Sequence, residues 1–166
     1  MIELIPVTEK ELPVINKLAH EIWPYAFQGI LSPEQISYML EMMYSLPALK
    51  EQVGVKGHHY VIIKDGGKYT GYASYEINCN TPGRTKLHKI YVLPELQGHG
   101  LGKRLICYVA EKAREKGNKY LYLNVNRFNN AIKFYEAMGF KIIAEEDIDI
   151  GNGYYMNDFI MEKELF

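Results

Sequence analysis

Cysteine is scarce in this chain: there are 2, Cys79 and Cys107, among 166 residues. One lies in a segment that reads as a helix and the other beside a turn. They form neither a metal-type pair nor a disulfide framework, which fits a reducing, cytoplasmic setting better than an extracellular one. Charge of one sign is also lacking. Lys and Arg number 19 against 20 Asp and Glu, a formal net charge of -1 at pH 7, so there is no broad basic face for nucleic acid. No apolar run approaches the ~20 residues of a membrane span. The start, Met1-Ile2-Glu3-Leu4-Ile5-Pro6, has no basic region followed by a long apolar stretch, so no signal peptide is expected. Repeats, low-complexity tracts and long linkers are missing too. A single domain over residues 1–166 is expected, and 48% hydrophobic with 23% charged residues suits a chain that buries a core.

What is present reads as alternating structure. Met1 to Val7 is apolar and β-prone. Thr8-Glu9-Lys10-Glu11 is a capping box, and Leu12, Ile15, Leu18, Ala19 and Ile22 follow at helical spacing, predicting a helix to about Trp23-Pro24. Ser32-Pro33-Glu34-Gln35 opens a second helix, with proline where its missing N–H costs nothing. His59 to Lys64, Lys68 to Ile77 and Thr85 to Val92 read as strands joined by the turns Asp65-Gly66-Gly67 and Thr81-Pro82-Gly83-Arg84, and so as antiparallel neighbours. A helix from Leu101 stops at Gly117, Tyr120 to Asn126 is a strand, and Asn129 to Met138 is a short helix ended by Gly139. A last hairpin turns at Gly151-Asn152-Gly153. The expected class is α+β, in the order β-α-α-β-β-β-α-β-α-β-β: a mixed, mainly antiparallel sheet with one parallel β-α-β crossover.

The segment Gln97-Gly98-His99-Gly100-Leu101-Gly102-Lys103 carries the chemistry. Glycines alternate with other residues between a strand and a helix start. Backbone N–H groups can therefore point into one concavity, beside the roughly half positive charge of a helix N-terminus. A pyrophosphate suits such a place, and Lys103 adds charge at its rim. A P-loop is excluded, because Arg104 stands where Ser or Thr would hold magnesium. A dinucleotide fingerprint is excluded because Lys103 takes the third glycine's place. A plain glycine-rich turn feeding a helix remains the structural alternative.

Gln97, Gly100 and Gly102 match Q-x-x-G-x-G/A, and Asn129-Asn130-Ala131-Ile132-Lys133-Phe134-Tyr135-Glu136-Ala137-Met138-Gly139-Phe140 follows one helix and one strand later. Together these resemble the GNAT acetyltransferases, strongly over Thr85 to Phe140 and by element order elsewhere. The resemblance implies an N-acetyltransferase with acetyl-CoA as cosubstrate and no metal. Its strands splay around the crossover helix to admit the pantetheine arm. On that reading Ile90, Tyr91 and Val92 offer backbone partners to pantetheine, and Gln97, Gly98, His99, Gly100, Leu101, Gly102 and Lys103 hold the pyrophosphate. Asn126 and Asn129 contact pantetheine or the adenosine side, a plain N-cap being the alternative for Asn129. Tyr135 matches the general acid that protonates the departing thiolate, with packing beside Phe134 as the alternative.

The acceptor amine must lose a proton. The Glu that some relatives carry before the glycine loop is replaced by Lys86, which leaves His88, Glu76 or a water chain as the base. Strand alternation puts His88 on the face of Ile90 and Val92. Aromatic residues of the first two helices, the tyrosines Tyr154 and Tyr155, and carboxylates from Glu145 to Asp158 suit a cationic acceptor such as a polyamine or a lysine side chain. Partners expected are a small-molecule or peptide amine, with no nucleic acid and no membrane. A homodimer is compatible with the sequence and not fixed by it. The competing reading is a non-catalytic acyl-CoA sensor on the same fold.

Overall fold

The computed structural model describes residues 1–166. Its strands are β1 (Ile2–Pro6), β2 (His59–Asp65), β3 (Lys68–Glu76), β4 (Arg84–Val92), β5 (Tyr120–Asn126), β6 (Lys141–Gly151) and β7 (Tyr154–Glu164). Its helices are α1 (Leu12–Ala26), α2 (Pro33–Tyr44), α3 (Leu46–Gly54), α4 (Leu101–Glu115) and α5 (Ala131–Ala137). The strands form one sheet in the order β1-β2-β3-β4-β5-β7-β6. Every neighbouring pair is antiparallel except β4 with β5. Only that pair needs a crossover, and α4 supplies it.

The sheet is apolar on both faces. Leu101, Leu105, Ile106, Val109 and Ala113 of α4 are buried against Val61, Ala73, Leu87, Leu121 and Leu123 on one side. On the other, Leu12, Ile15, Ile22, Met39, Leu40 and Leu49 of α1 to α3 meet Tyr60, Ile62 and Tyr72. Alternating strand residues thus feed two cores, as a sheet covered on both faces requires.

The expected element order lacked one helix. Three helices, not two, lie between β1 and β2, and the addition is α3. Its Ser45 hydroxyl accepts the Ala48 N–H at 3.3 Å, and proline stands in its first turn. With 9 residues and a weak stripe, α3 gives little periodic signal; Leu49, fully buried, holds it down with ~1.5–3 kcal/mol of apolar burial. α1 also runs past Pro24 to Ala26, because a proline this near the end removes only a bond the last turn can spare. The Thr8–Glu11 capping box is present, but it caps a 3-10 turn over Glu9–Glu11 that leads into α1.

Candidate active site

β4 and β5 pair only from Arg84 opposite Tyr120 to Leu87 opposite Leu123. Beyond that point β4 stays with β3 as far as Val92 opposite Gly71. β5 stays with β7 as far as Asn126 opposite Asp158. The strands therefore fork, and residues 88–92 and 124–126 face a gap with no strand between them. Ile90, Tyr91 and Val92 lie on one arm. The cause is local. Ser74 faces Lys89 and Tyr75 faces Leu87, so His88 is an extra residue in β4. A bulge of this kind bends its strand and increases its twist. Gly71 keeps β3 pressed to the outer arm: a Cβ there would lie 2.6 Å from the Tyr91 carbonyl oxygen.

At the open end of the fork the chain makes a 3-10 turn over Pro94–Leu96 and then enters α4. Gly98 and Gly100 have φ of +85° and +80°, left-handed values natural to glycine. The first α-helical bond runs from the Arg104 N–H to the Gly100 carbonyl, at 3.2 Å. The N–H groups of Leu101, Gly102 and Lys103 are the unpartnered donors of the helix start. Gln97 folds back so that its side-chain amide donates to the Val92 carbonyl at 3.5 Å, tying loop to strand. His99 and Lys103 are exposed, whereas the Leu101 side chain is buried and presents only its backbone. α5 comes close here: a Cβ on Gly102 would meet the Phe134 ring at 3.2 Å.

Tyr135 is 8% exposed, with its ring centroid 5.5 Å from Phe134 and 5.8 Å from Phe140. Burial pushes its phenol well above the ordinary value, so it is protonated at any physiological pH. The Tyr91 phenol is raised by burial first, then by the proximity of Tyr135 and Asp158. Tyr91 on β4 thus lies close enough to Tyr135 of α5 and Asp158 of β7 to feel both.

Asn126 and Asn129 are committed to local structure. The Asn126 side-chain oxygen accepts the Phe128 N–H at 3.0 Å, and that of Asn129 accepts the Ala131 N–H at 2.9 Å. Asn129 therefore caps α5 in the manner of an N-cap, one residue before the formal N-cap position, Asn130.

His88 is not on the face expected for it. Ile90 and Val92 pack under α4, but the bulge breaks the alternation and turns His88 toward Glu76 on the opposite face. Its Nε2 lies 3.0 Å from Glu76 Oε1, and His58 Nε2 lies 3.4 Å from the same oxygen. The two imidazoles stack, with centroids 4.0 Å apart and planes at 15°. Burial first, then Lys86 and Lys89, holds His88 down to about 3; burial first, then His88, does the same for His58. Both rings are neutral at pH 7. The three ligand atoms lie within 4.8 Å of one another. Both imidazole Nε2 atoms thus lie against one carboxylate oxygen.

Lys89 carries no signal in the strand pattern. Its ammonium is buried, donates to Gln52 Oε1 at 2.8 Å and to the Tyr60 hydroxyl at 2.6 Å, and lies 4.8 Å from the Tyr44 ring centroid. Burial, with Lys56, lowers it to about 7. His58 also escaped notice, since a histidine in a loop carries no periodic signal.

Residues 15–140 match the Acetyltransferase (GNAT) family. The chain belongs to the GNAT acetyltransferases. It is 28% identical to the spermidine N(1)-acetyltransferase of Thermoplasma acidophilum, over 98% of this chain and 97% of that protein. An uncharacterised N-acetyltransferase of Lactobacillus delbrueckii subsp. lactis is 27% identical, over 99% of this chain and 98% of that one. Among solved structures, the PaiA N-acetyltransferase of Thermoplasma acidophilum in complex with coenzyme A superposes with a TM-score of 0.81, at 26% identity and 99% coverage of both chains. This GNAT protein is accordingly an acetyl-CoA-dependent N-acetyltransferase. The forked pair β4/β5 and the glycine loop at its mouth are the features that fit the cosubstrate.

Proposed function

We propose that this enzyme moves an acetyl group from acetyl-CoA to a primary amine by direct attack, with Tyr135 as general acid. The observation that carries the proposal is the fork, which runs from the unpartnered N–H groups at the start of α4 to the neighbourhood of Tyr135. In this reading the backbone of residues 97–103 holds the pyrophosphate, as helix N-termini do. Ile90, Tyr91 and Val92 offer their strand edge to pantetheine, and Asn126 and Asn129 shape the turn beyond it.

Acetyl-CoA supplies the acetyl group as a thioester. The proton that the amine loses as its nitrogen bonds to the acetyl carbon passes to the His88–Glu76 pair, whose imidazole nitrogen and carboxylate oxygen lie 3.0 Å apart and share it. Tyr135 gives its proton to the sulfur as the C–S bond breaks, so one proton enters the chain's groups and one leaves. General acid or base help of this kind is worth ~10²–10⁴-fold each.

The acceptor we propose is a cationic amine of the polyamine type. Tyr91 and Tyr38 pack on the α1–α3 side of the sheet, Tyr154 lies 5.4 Å from Tyr38, and the relative named for spermidine spans nearly the whole chain. Release of free thiol from acetyl-CoA, followed across spermidine, diamines, monoamines and a lysine peptide, tests the reading. Acetylated polyamine with a clear preference for cations is the expected product. Acetyl-CoA binding without thiol release for any amine would replace the enzyme with a sensor.

A further inference from the structure

Asp158 is 5% exposed on β7, and its Oδ1 is buried with no hydrogen-bond partner. Its Oδ2 receives one long bond, from the Asn124 side-chain amide at 3.4 Å. A carboxylate taken out of water ordinarily has a cation or several donors around it. Here no nearby cation bonds to it. Arg127 directs its two terminal nitrogens to Asp147 and, at 3.5 Å, to Glu145, and although its Nε is buried without a partner, no hydrogen bond joins it or Lys86 to Asp158. The remaining neighbours add no positive charge: Asn126 faces Asp158 across β5, and Glu146 faces it across β6.

The place of this unmatched charge is informative. Alternation along β7 puts Tyr154, Met156 and Asp158 on one face, and Met156 packs on the α1–α3 side of the sheet. α2 is fastened over that end of the hairpin. The Tyr38 hydroxyl donates to the Ile150 carbonyl at 2.9 Å, and the Gln35 amide donates to the Tyr155 carbonyl at 2.9 Å. The Tyr38 and Tyr154 rings lie 5.4 Å apart. Asp158 therefore stands where β5 and β7 border the fork, on the same sheet face as the Tyr38–Tyr154 pair at the hairpin end. A buried carboxylate with no partner for one oxygen, on a face that also carries aromatic rings, is the chemistry that takes up an organic ammonium.

We infer that Asp158 is the specificity-determining residue of the acceptor site and binds a second, non-reacting ammonium of a diamine or polyamine. The inference rests on the acetyl-transfer reading above and adds to it the requirement for two amines. The reacting amine must be neutral to attack, whereas the distal one is bound because it is charged. Asp158 selects by holding the far end, and it exchanges no proton with the reacting nitrogen.

The test compares 1,4-diaminobutane with butylamine, which share a chain length and differ by one ammonium. Asp158→Asn is expected to raise KM for the diamine about 10- to 100-fold, the weight of one hydrogen bond to a charged group, and to leave KM for butylamine unchanged. Coenzyme A affinity, measured on the same variant, should also be unchanged. Calorimetric titration of 1,4-diaminobutane into the coenzyme A-loaded protein should show binding that Asp158→Asn abolishes. Equal losses for both amines, or diamine binding untouched by the substitution, would overturn the inference. Were Asp158→Asn to misfold, the wild type alone decides: a diamine-to-monoamine ratio in kcat/KM near one overturns the inference, and about ten or more supports it. Absence of thiol release with every amine would instead remove the acetyl-transfer reading, and the titration would still report on Asp158.

Discussion

Leu87 and Leu123 face one another as the last paired residues of β4 and β5, and the strands part immediately beyond them. Both side chains are buried under α4, so the crotch of the fork is anchored in the core. Its outer arm bends because His88 is one residue too many for the ladder with β3. The fork is thus set by a single inserted residue over a packed base.

The glycine loop should respond to backbone strain alone. Gly100 sits at φ +80° with open space where a Cβ would point. Gly100→Ala is therefore expected to lose coenzyme A affinity by about fivefold or more, from the ~1–2 kcal/mol cost of a left-handed alanine. Gly83, at φ +86° in the turn between β3 and β4, supplies the control: Gly83→Ala should cost comparable stability and leave affinity alone. Coenzyme A titration of both variants checks this.

His58 and His88 should make the protein sensitive to acid. In the folded chain both imidazoles take up protons only near pH 3, whereas unfolded histidine does so near ~6.5. Between those values the unfolded chain binds more protons, so stability falls as pH drops from about 6.5 toward 3. Melting temperatures recorded across that window should decline more steeply for the wild type than for a His58→Gln/His88→Gln double variant. Parallel curves would show that the pair does not govern the acid response.

Asp158 should be a cost to the free protein. Burial raises its carboxyl above the ordinary value, with Glu146 adding to the rise and Asn124, Lys86 and Arg127 opposing it. An ionised group whose folded pKa is raised loses stability as pH rises through that pKa. Asp158→Asn is thus expected to raise the melting temperature at pH 7 by a few degrees while weakening diamine binding. A lower melting temperature would mean the carboxylate serves packing instead.

Much of this architecture was legible in the residues. Helical spacing announced α1, α2 and α4, and the two GNAT-like motifs announced a fork with a glycine loop at its mouth. The short helix α3 was not legible, because a 9-residue element beginning Leu46-Pro47 looks like a turn until Leu49 is seen to be buried. His88 was assigned to the wrong face for a simple reason. Alternation fixes a side chain's direction only in an unbroken ladder, and one bulge reverses everything before it relative to everything after. The burial of Lys89 depends on α2 and α3 and the unmatched charge of Asp158 on its place beside β5, elements distant in sequence that no local pattern records.

The claim on which the enzyme's chemistry rests is that the Tyr135 hydroxyl protonates the departing sulfur. Single-turnover acetyl transfer by Tyr135→Phe, measured beside its affinity for acetyl-CoA, tests it most directly. The expected result is a rate lowered ~10²–10⁴-fold with affinity within about twofold of the wild type. An unchanged rate, or a rate and an affinity falling together, would contradict it and return Tyr135 to the core as a packing residue.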